Sequence, residues 1–165
     1  MTKTKLPEKI DQWISEMGFF KKEIPKQGLL YSAVIELAPQ KYIEIKIPES
    51  QPDRLDVTAA LKLHPNHLSL LRSMPNDKKK EFWYRVRRDV NLLPVSFILL
   101  PPGKPVTEVD GVGVAHIMYE DGLTKTSFAY AIDAVNRAMF SIILNLEHFL
   151  GPAPSGSSAP SQDFV

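Results

Sequence analysis

The chain has 165 residues, 44% of them hydrophobic, with 20 Lys plus Arg against 19 Asp plus Glu, 14 prolines and no cysteine. That length suits one domain burying roughly 70% of its unfolded-chain surface without a staple, and zero cysteine excludes disulfides, thiol nucleophiles, Cys-ligated zinc and iron–sulfur clusters. A net charge of +1 speaks against a wholly basic nucleic-acid packager and against an acidic disordered chain.

The basic start Met1-Thr2-Lys3-Thr4-Lys5 runs into Glu8, Lys9, Asp11 and Glu16 rather than an apolar stretch, so no signal peptide is expected. Leu6, Ile10, Trp13, Ile14 and Met17 share one face at helical spacing, with Pro7 suited to the first turn and Gly18 to the end. Three strand-type runs follow. Leu29 to Leu37 is β-branched and aromatic; Tyr42 to Ile47 alternates, with Ile43, Ile45 and Ile47 on one face; Leu55 to Leu63 alternates as well. The joint at residues 38–41 is tight and that at 48–53 slightly longer, which predicts an antiparallel meander with one wet face.

His64-Pro65-Asn66-His67 breaks the third strand, and Leu68 to Met74 reads as a short helical turn. Asn76 is expected to cap a helix running to about Leu92, with Phe82, Val86, Val90 and Leu93 as its buried stripe, Trp83 at the margin and Pro94 as its stop. Val95 to Leu100 and Val112 to Tyr119 read as two more strands, joined through the stiff Pro101-Pro102-Gly103-Lys104-Pro105 loop. Thr126 or Ser127 is expected to cap a last helix reaching about Leu150, about 36 Å long. Its most apolar window, 138–150, is interrupted by Ser141, Asn145, Glu147 and His148 and reads as too short and too polar to span a bilayer, so a cytoplasmic address is expected. Residues 151–165, rich in Pro, Ser and Gly, read as a tail without regular structure. The whole is an α+β domain over residues 1–150, with an antiparallel sheet of about five strands.

No constellation for catalysis stands out. His64 and His67 flank a turn and read as surface residues; His116, between apolar neighbours in a strand, reads as a half-buried, hydrogen-bonded imidazole. Gly111-Val112-Gly113 lacks the third glycine and the following helix of a dinucleotide fingerprint. Glu108 with Asp110, and Glu120 with Asp121, sit beside turns where solvation explains them. No enzyme activity, metal or cofactor is expected.

Two surface features point to binding. From Lys78 to Arg88 there are six basic residues, Lys78, Lys79, Lys80, Arg85, Arg87 and Arg88, against the single acid Glu81, a local +5 within a chain of net +1. Lys80, Tyr84, Arg87 and Arg88 fall opposite the apolar stripe, and with Arg85 they form a candidate polyanion site in which arginines grip phosphate and the tyrosine stacks a base; a solvated helix face is the plainer reading. On the last helix, Phe128, Ala131, Val135, Met139, Ile142, Leu146 and Phe149 make the core stripe. Phe140 and Leu144 lie on the opposite face with Arg137, an i, i+4 apolar patch that suits a second copy, a partner protein or the chain's own first helix.

The order helix, three-strand meander, helix, strand pair, long helix, carried by Leu6 to Gly18, Leu29 to Leu63, Asn76 to Leu92, Val95 to Tyr119 and Ser127 to Leu150, resembles the fold of type III secretion chaperones and of related small bacterial and archaeal proteins. The wording Gly111-Val-Gly-Val-Ala-His-Ile-Met-Tyr119 is similar to an uncharacterised archaeal type. The resemblance implies a homodimer that binds a segment of a partner protein, although those chaperones are usually acidic where this chain is neutral. The function expected is therefore a non-enzymatic, chaperone- or adaptor-like protein-interaction module, with a nucleic-acid or ribosome-associated protein as the alternative.

Overall fold

A computed structural model describes residues 5–39 and 41–152; most of the proposed tail, 153–165, lies outside the described residues. Strands β1 (Phe20–Glu23), β2 (Leu29–Ala38), β3 (Lys41–Pro48), β4 (Arg54–Lys62), β5 (Ser96–Leu100) and β6 (Gly111–Tyr119) form one antiparallel sheet in the order β1-β2-β3-β4-β6-β5. Helices α1 (Leu6–Glu16), α2 (Pro65–Ser73), α3 (Asn76–Val90) and α4 (Lys125–Leu150) complete the α+β fold. The chain forms two compact units, one comprising residues up to Ala59 together with Ala115–Val135, the other Ala60–Val114 together with residues from Asn136 on.

In the first unit, α1 buries Leu6, Ile10 and Ile14 and starts on Pro7. It ends where Gly18 takes a positive φ of 73°, a conformation that costs an L side chain energy and glycine nothing. β2 and β3 pair with Ala33 opposite Ile45 and Ile35 opposite Ile43. The alternation of β3 is realised: Ile43, Ile45 and Ile47 are buried, each contributing about 1.5–3 kcal/mol of apolar burial. On the other face Glu44 holds Lys26 at 2.7 Å and Lys46 at 3.1 Å. Burial disfavours the Glu44 charge, but the two ammonium groups outweigh it and keep its carboxyl below the usual carboxylate range.

The sixth strand is the difference from the expected five. β1, Phe-Lys-Lys-Glu, is four residues long and has no apolar alternation, so no strand signal exists for it. It forms because β2 offers a ladder, with Lys21 opposite Ile35 and Glu23 opposite Ala33.

In the second unit, α2 is a nine-residue helix rather than a single turn. Its N-cap is His64, whose Nδ1 accepts from the Asn66 N–H at 3.1 Å, and Pro65 occupies the first turn, where a missing donor costs nothing. His67 is buried, not a surface residue, and its Nε2 bonds the Gly151 carbonyl at 2.9 Å. α3 has Pro75 at the cap position, so Asn76 is its first residue and not its cap. It stops at Val90, two residues short of expectation, because Pro94 disfavours helical geometry at Leu93 and the chain turns through a Val90 carbonyl bond to the Leu93 N–H at 2.9 Å.

α4 begins at Lys125. Its start is capped by Thr124, not by Thr126 or Ser127 acting alone: the Ser127 N–H donates to Thr124 Oγ1 at 3.0 Å while the Thr124 N–H donates to Ser127 Oγ at 2.9 Å. The helix is 26 residues long with a window of mean hydropathy 1.2, long and apolar enough to cross a membrane by length and composition, a property that the core helix of a soluble protein shares. One face, Phe128, Ala131, Val135, Ala138, Ile142 and Leu146, is buried in the protein.

Candidate functional site

The site is built in the second unit from α3, β5 and the C-terminal half of α4. Buried Phe82, Trp83, Val86 and Val90 fix how α3 is rotated. Lys79 lies within that stripe and is itself buried, so the basic run is not one continuous wet face. One flank of α3 meets α4: Phe82 packs edge-to-face on Phe149 at 5.7 Å, Arg85 stacks over Phe149 at 5.4 Å, and Asn145 donates to Asp89 at 3.3 Å. The other flank meets β5, where Phe97 lies 6.4 Å from Trp83 and 5.8 Å from the Arg87 guanidinium. Among the described residues the buried Trp83 indole N–H has no hydrogen-bond partner, a burden of about 1–3 kcal/mol carried beside β5.

Ion pairs divide the basic residues. Glu81 binds Lys78 at 3.5 Å and Arg85 at 3.0 Å, and Asp89 binds Arg88 at 3.0 Å. Among the described residues, no carboxylate pairs with Lys80 or Arg87. These two, with Tyr84 at 67% exposure, share one side of α3, and Arg87 is the member of this strip that reaches β5. Of the five polyanion candidates, then, Lys80, Tyr84 and Arg87 stand together, while Arg85 and Arg88 are turned to carboxylates.

Among the described residues, strand β5 ends the sheet and has a neighbour on one side only. Ser96-Phe-Ile-Leu-Leu100 carries no charge, is bracketed by Pro94 and Pro101, and exposes Ile98 at 40%. The Leu100 carbonyl accepts from the Asp110 N–H at 3.0 Å, on the β6 side. Because backbone groups alternate sides along a strand, Phe97 and Leu99 turn their N–H and C=O groups to the free edge. Nothing in the sequence flags this, since strand order comes from pairings far apart in the chain.

On α4, Phe140 is 53% exposed and Leu144 48%, with Arg137 exposed one turn before Phe140. A cleft of about 190 Å³ is lined by Met74, Lys78, Glu81, Phe82, Arg85 and Phe149. It is smaller than the roughly 300–1,000 Å³ usual for small-molecule sites, and its cationic groups are already satisfied by Glu81.

His116 is half-buried as expected, but among the described residues its buried Nδ1 has no hydrogen-bond partner. The His64 and His67 rings stand edge-to-face at 6.2 Å, and among the described residues no three of His, Asp or Glu group as metal ligands do. In the first unit, Tyr31 donates to Asp11, which also binds Lys21 at 2.6 Å; burial first, and then the Asp11 carboxylate, push the Tyr31 hydroxyl far above its ordinary value.

A crystal structure of an uncharacterized protein from Methanothermobacter thermautotrophicus is similar to this chain, with a TM-score of 0.78, 26% identity, and coverage of 87% of this chain and 98% of that one. Among curated proteins no sequence matches. The family described as uncharacterized conserved protein (DUF2299) matches over residues 6–146, the span from the first residue of α1 into the last turns of α4, and the chain belongs to that family.

Proposed function

We propose that the chain is a non-enzymatic protein-interaction module, homodimeric and adaptor- or chaperone-like, with a fold of the type III secretion chaperone kind and a cytoplasmic place of work. The observation that carries this reading is the exposure of Phe140 and Leu144, 53% and 48%, one turn apart on a helix whose opposite face already fills the core. An i, i+4 pair of large apolar side chains is the usual footprint of a helix that meets another surface. Arg137 at its margin gives the contact a polar rim.

Light scattering tests it. The wild type is expected at about twice 18.6 kDa, and Phe140→Glu with Leu144→Glu at the monomer mass with a lower melting temperature; a monomer in both chains, with unchanged stability in the double mutant, overturns the dimer. A second reading, nucleic-acid binding, is favoured by one observation, the exposed Tyr84 beside Lys80 and Arg87. It requires binding of polyuridine RNA that weakens steeply between about 50 and about 200 mM salt.

A further inference from the structure

We infer that the free edge of β5, with Lys80 and Arg87 on the adjoining flank of α3, receives an extended acidic segment of a partner protein as an added strand. The inference deepens the protein-interaction reading and rests on it.

The edge supplies the first half of the argument. An apolar, uncharged strand with one side unpaired is the arrangement that soluble proteins ordinarily blunt with charge, proline or a bulge, because it templates another strand. Here prolines stand only at the two ends, Pro94 and Pro101, and leave Val95 to Leu100 open between them. The outward N–H and C=O groups of Phe97 and Leu99 complement a peptide backbone and hold it in one register.

Charge supplies the second half and chooses the occupant. Phe97 faces α3, so the residue of an added strand opposite it shares that face and lies beside Arg87. A carboxylate there, and another toward Lys80, meets cations that no carboxylate of the described chain neutralises. The residue opposite Ile98 shares the outer face, where an apolar side chain packs on a residue 40% exposed. The segment therefore alternates acidic with apolar residues over about five or six positions, about 17–20 Å. A second copy of β5 fits worse, since antiparallel self-pairing brings together two cationic flanks of like sign. Nucleic acid could use Lys80, Tyr84 and Arg87 but has no strand backbone to complete the ladder.

Selection of a random peptide display library on the full chain tests this. Enriched peptides are expected to alternate acidic with apolar residues. Their affinity should fall by about tenfold or more in Leu99→Pro, which removes an outward N–H that the isolated fold does not use, and in Lys80→Glu with Arg87→Glu. It should be unchanged in Lys22→Glu on β1, and Phe140→Glu with Leu144→Glu is measured beside it for the competing site. Should Leu99→Pro not fold, the exposed charge pair decides. Peptides that bind every variant alike, or that depend on Phe140 and Leu144, overturn the edge assignment and leave the interaction reading standing. Polyuridine binding that collapses in the charge variant, with no peptide enriched, gives the strip to nucleic acid. No enriched peptide together with a monomeric wild type overturns both the inference and the reading beneath it.

Discussion

The two edges of the sheet are treated in opposite ways. β1 is four residues long, with Phe20 its only apolar side chain; Lys21 is tied to Asp11 at 2.6 Å and Glu23 at 2.8 Å, and Lys22 is exposed. Each feature is a recognised defence against an incoming strand, which would have to desolvate those charges. β5, at the other end of the strand order, has five residues and no charge, and the Arg87 guanidinium over its Phe97 comes from α3 rather than from the strand. An edge left open in a chain that guards its other edge is better explained by use than by neglect, and it is the basis for assigning docking to β5.

Ile35→Ala, in the strand that β1 guards, removes a fully buried side chain and should cost about 2–5 kcal/mol by urea denaturation. Ile98→Ala, on the open strand, should cost less than about 1 kcal/mol because its side chain is already 40% exposed. Equal losses would mean that β5 is not open.

Next comes the ionic lock on the wet face of β3. The folded-state pKa of Glu44 is depressed, so its contribution is present above the ordinary carboxylate pKa and is lost as pH falls through the lowered value. Glu44→Gln should cost about 1 kcal/mol at neutral pH, given side chains that are only partly exposed, and should cost nothing once the wild-type carboxyl is protonated. A penalty that persists in acid would contradict the assignment of that energy to Lys26 and Lys46. The smallest change in stability, within about 0.5 kcal/mol, is expected for Lys22→Val with Glu23→Val. It should nonetheless make the chain associate in a concentration-dependent way by light scattering, because it turns β1 into an edge of the β5 kind; unaltered association would show that charge is not what guards β1.

These outcomes bear on how much of the molecule is legible in its sequence. Ile43, Ile45 and Ile47 announce β3 because one face of that strand is wet, and Leu6, Ile10 and Ile14 announce α1 for the same reason at helical spacing. β1 is silent because its purpose is defence: charges that blunt an edge also erase the strand pattern. The Thr124 cap escapes because Ser127 stands where a capping box usually has Glu or Gln. At the site, the grouping of Lys80, Tyr84 and Arg87 follows from helix geometry alone. The burial of Lys79 follows from the same wheel, since it falls between the positions of Val86 and Val90, once a run of three lysines is not assumed to be solvated throughout. The partition of Arg85 and Arg88 onto Glu81 and Asp89, and the place of β5 at the end of the sheet, depend on side-chain and strand pairings that no local pattern encodes.

The most direct test of the open edge is amide hydrogen exchange, residue by residue, with and without a synthetic peptide alternating glutamate and valine. The account predicts that the Phe97 and Leu99 amides exchange rapidly in the free chain and become protected when the peptide is added, while Phe20–Glu23 does not change. Protection of Phe97 and Leu99 already present in the free chain, or protection by the peptide appearing at β1 instead, would contradict it.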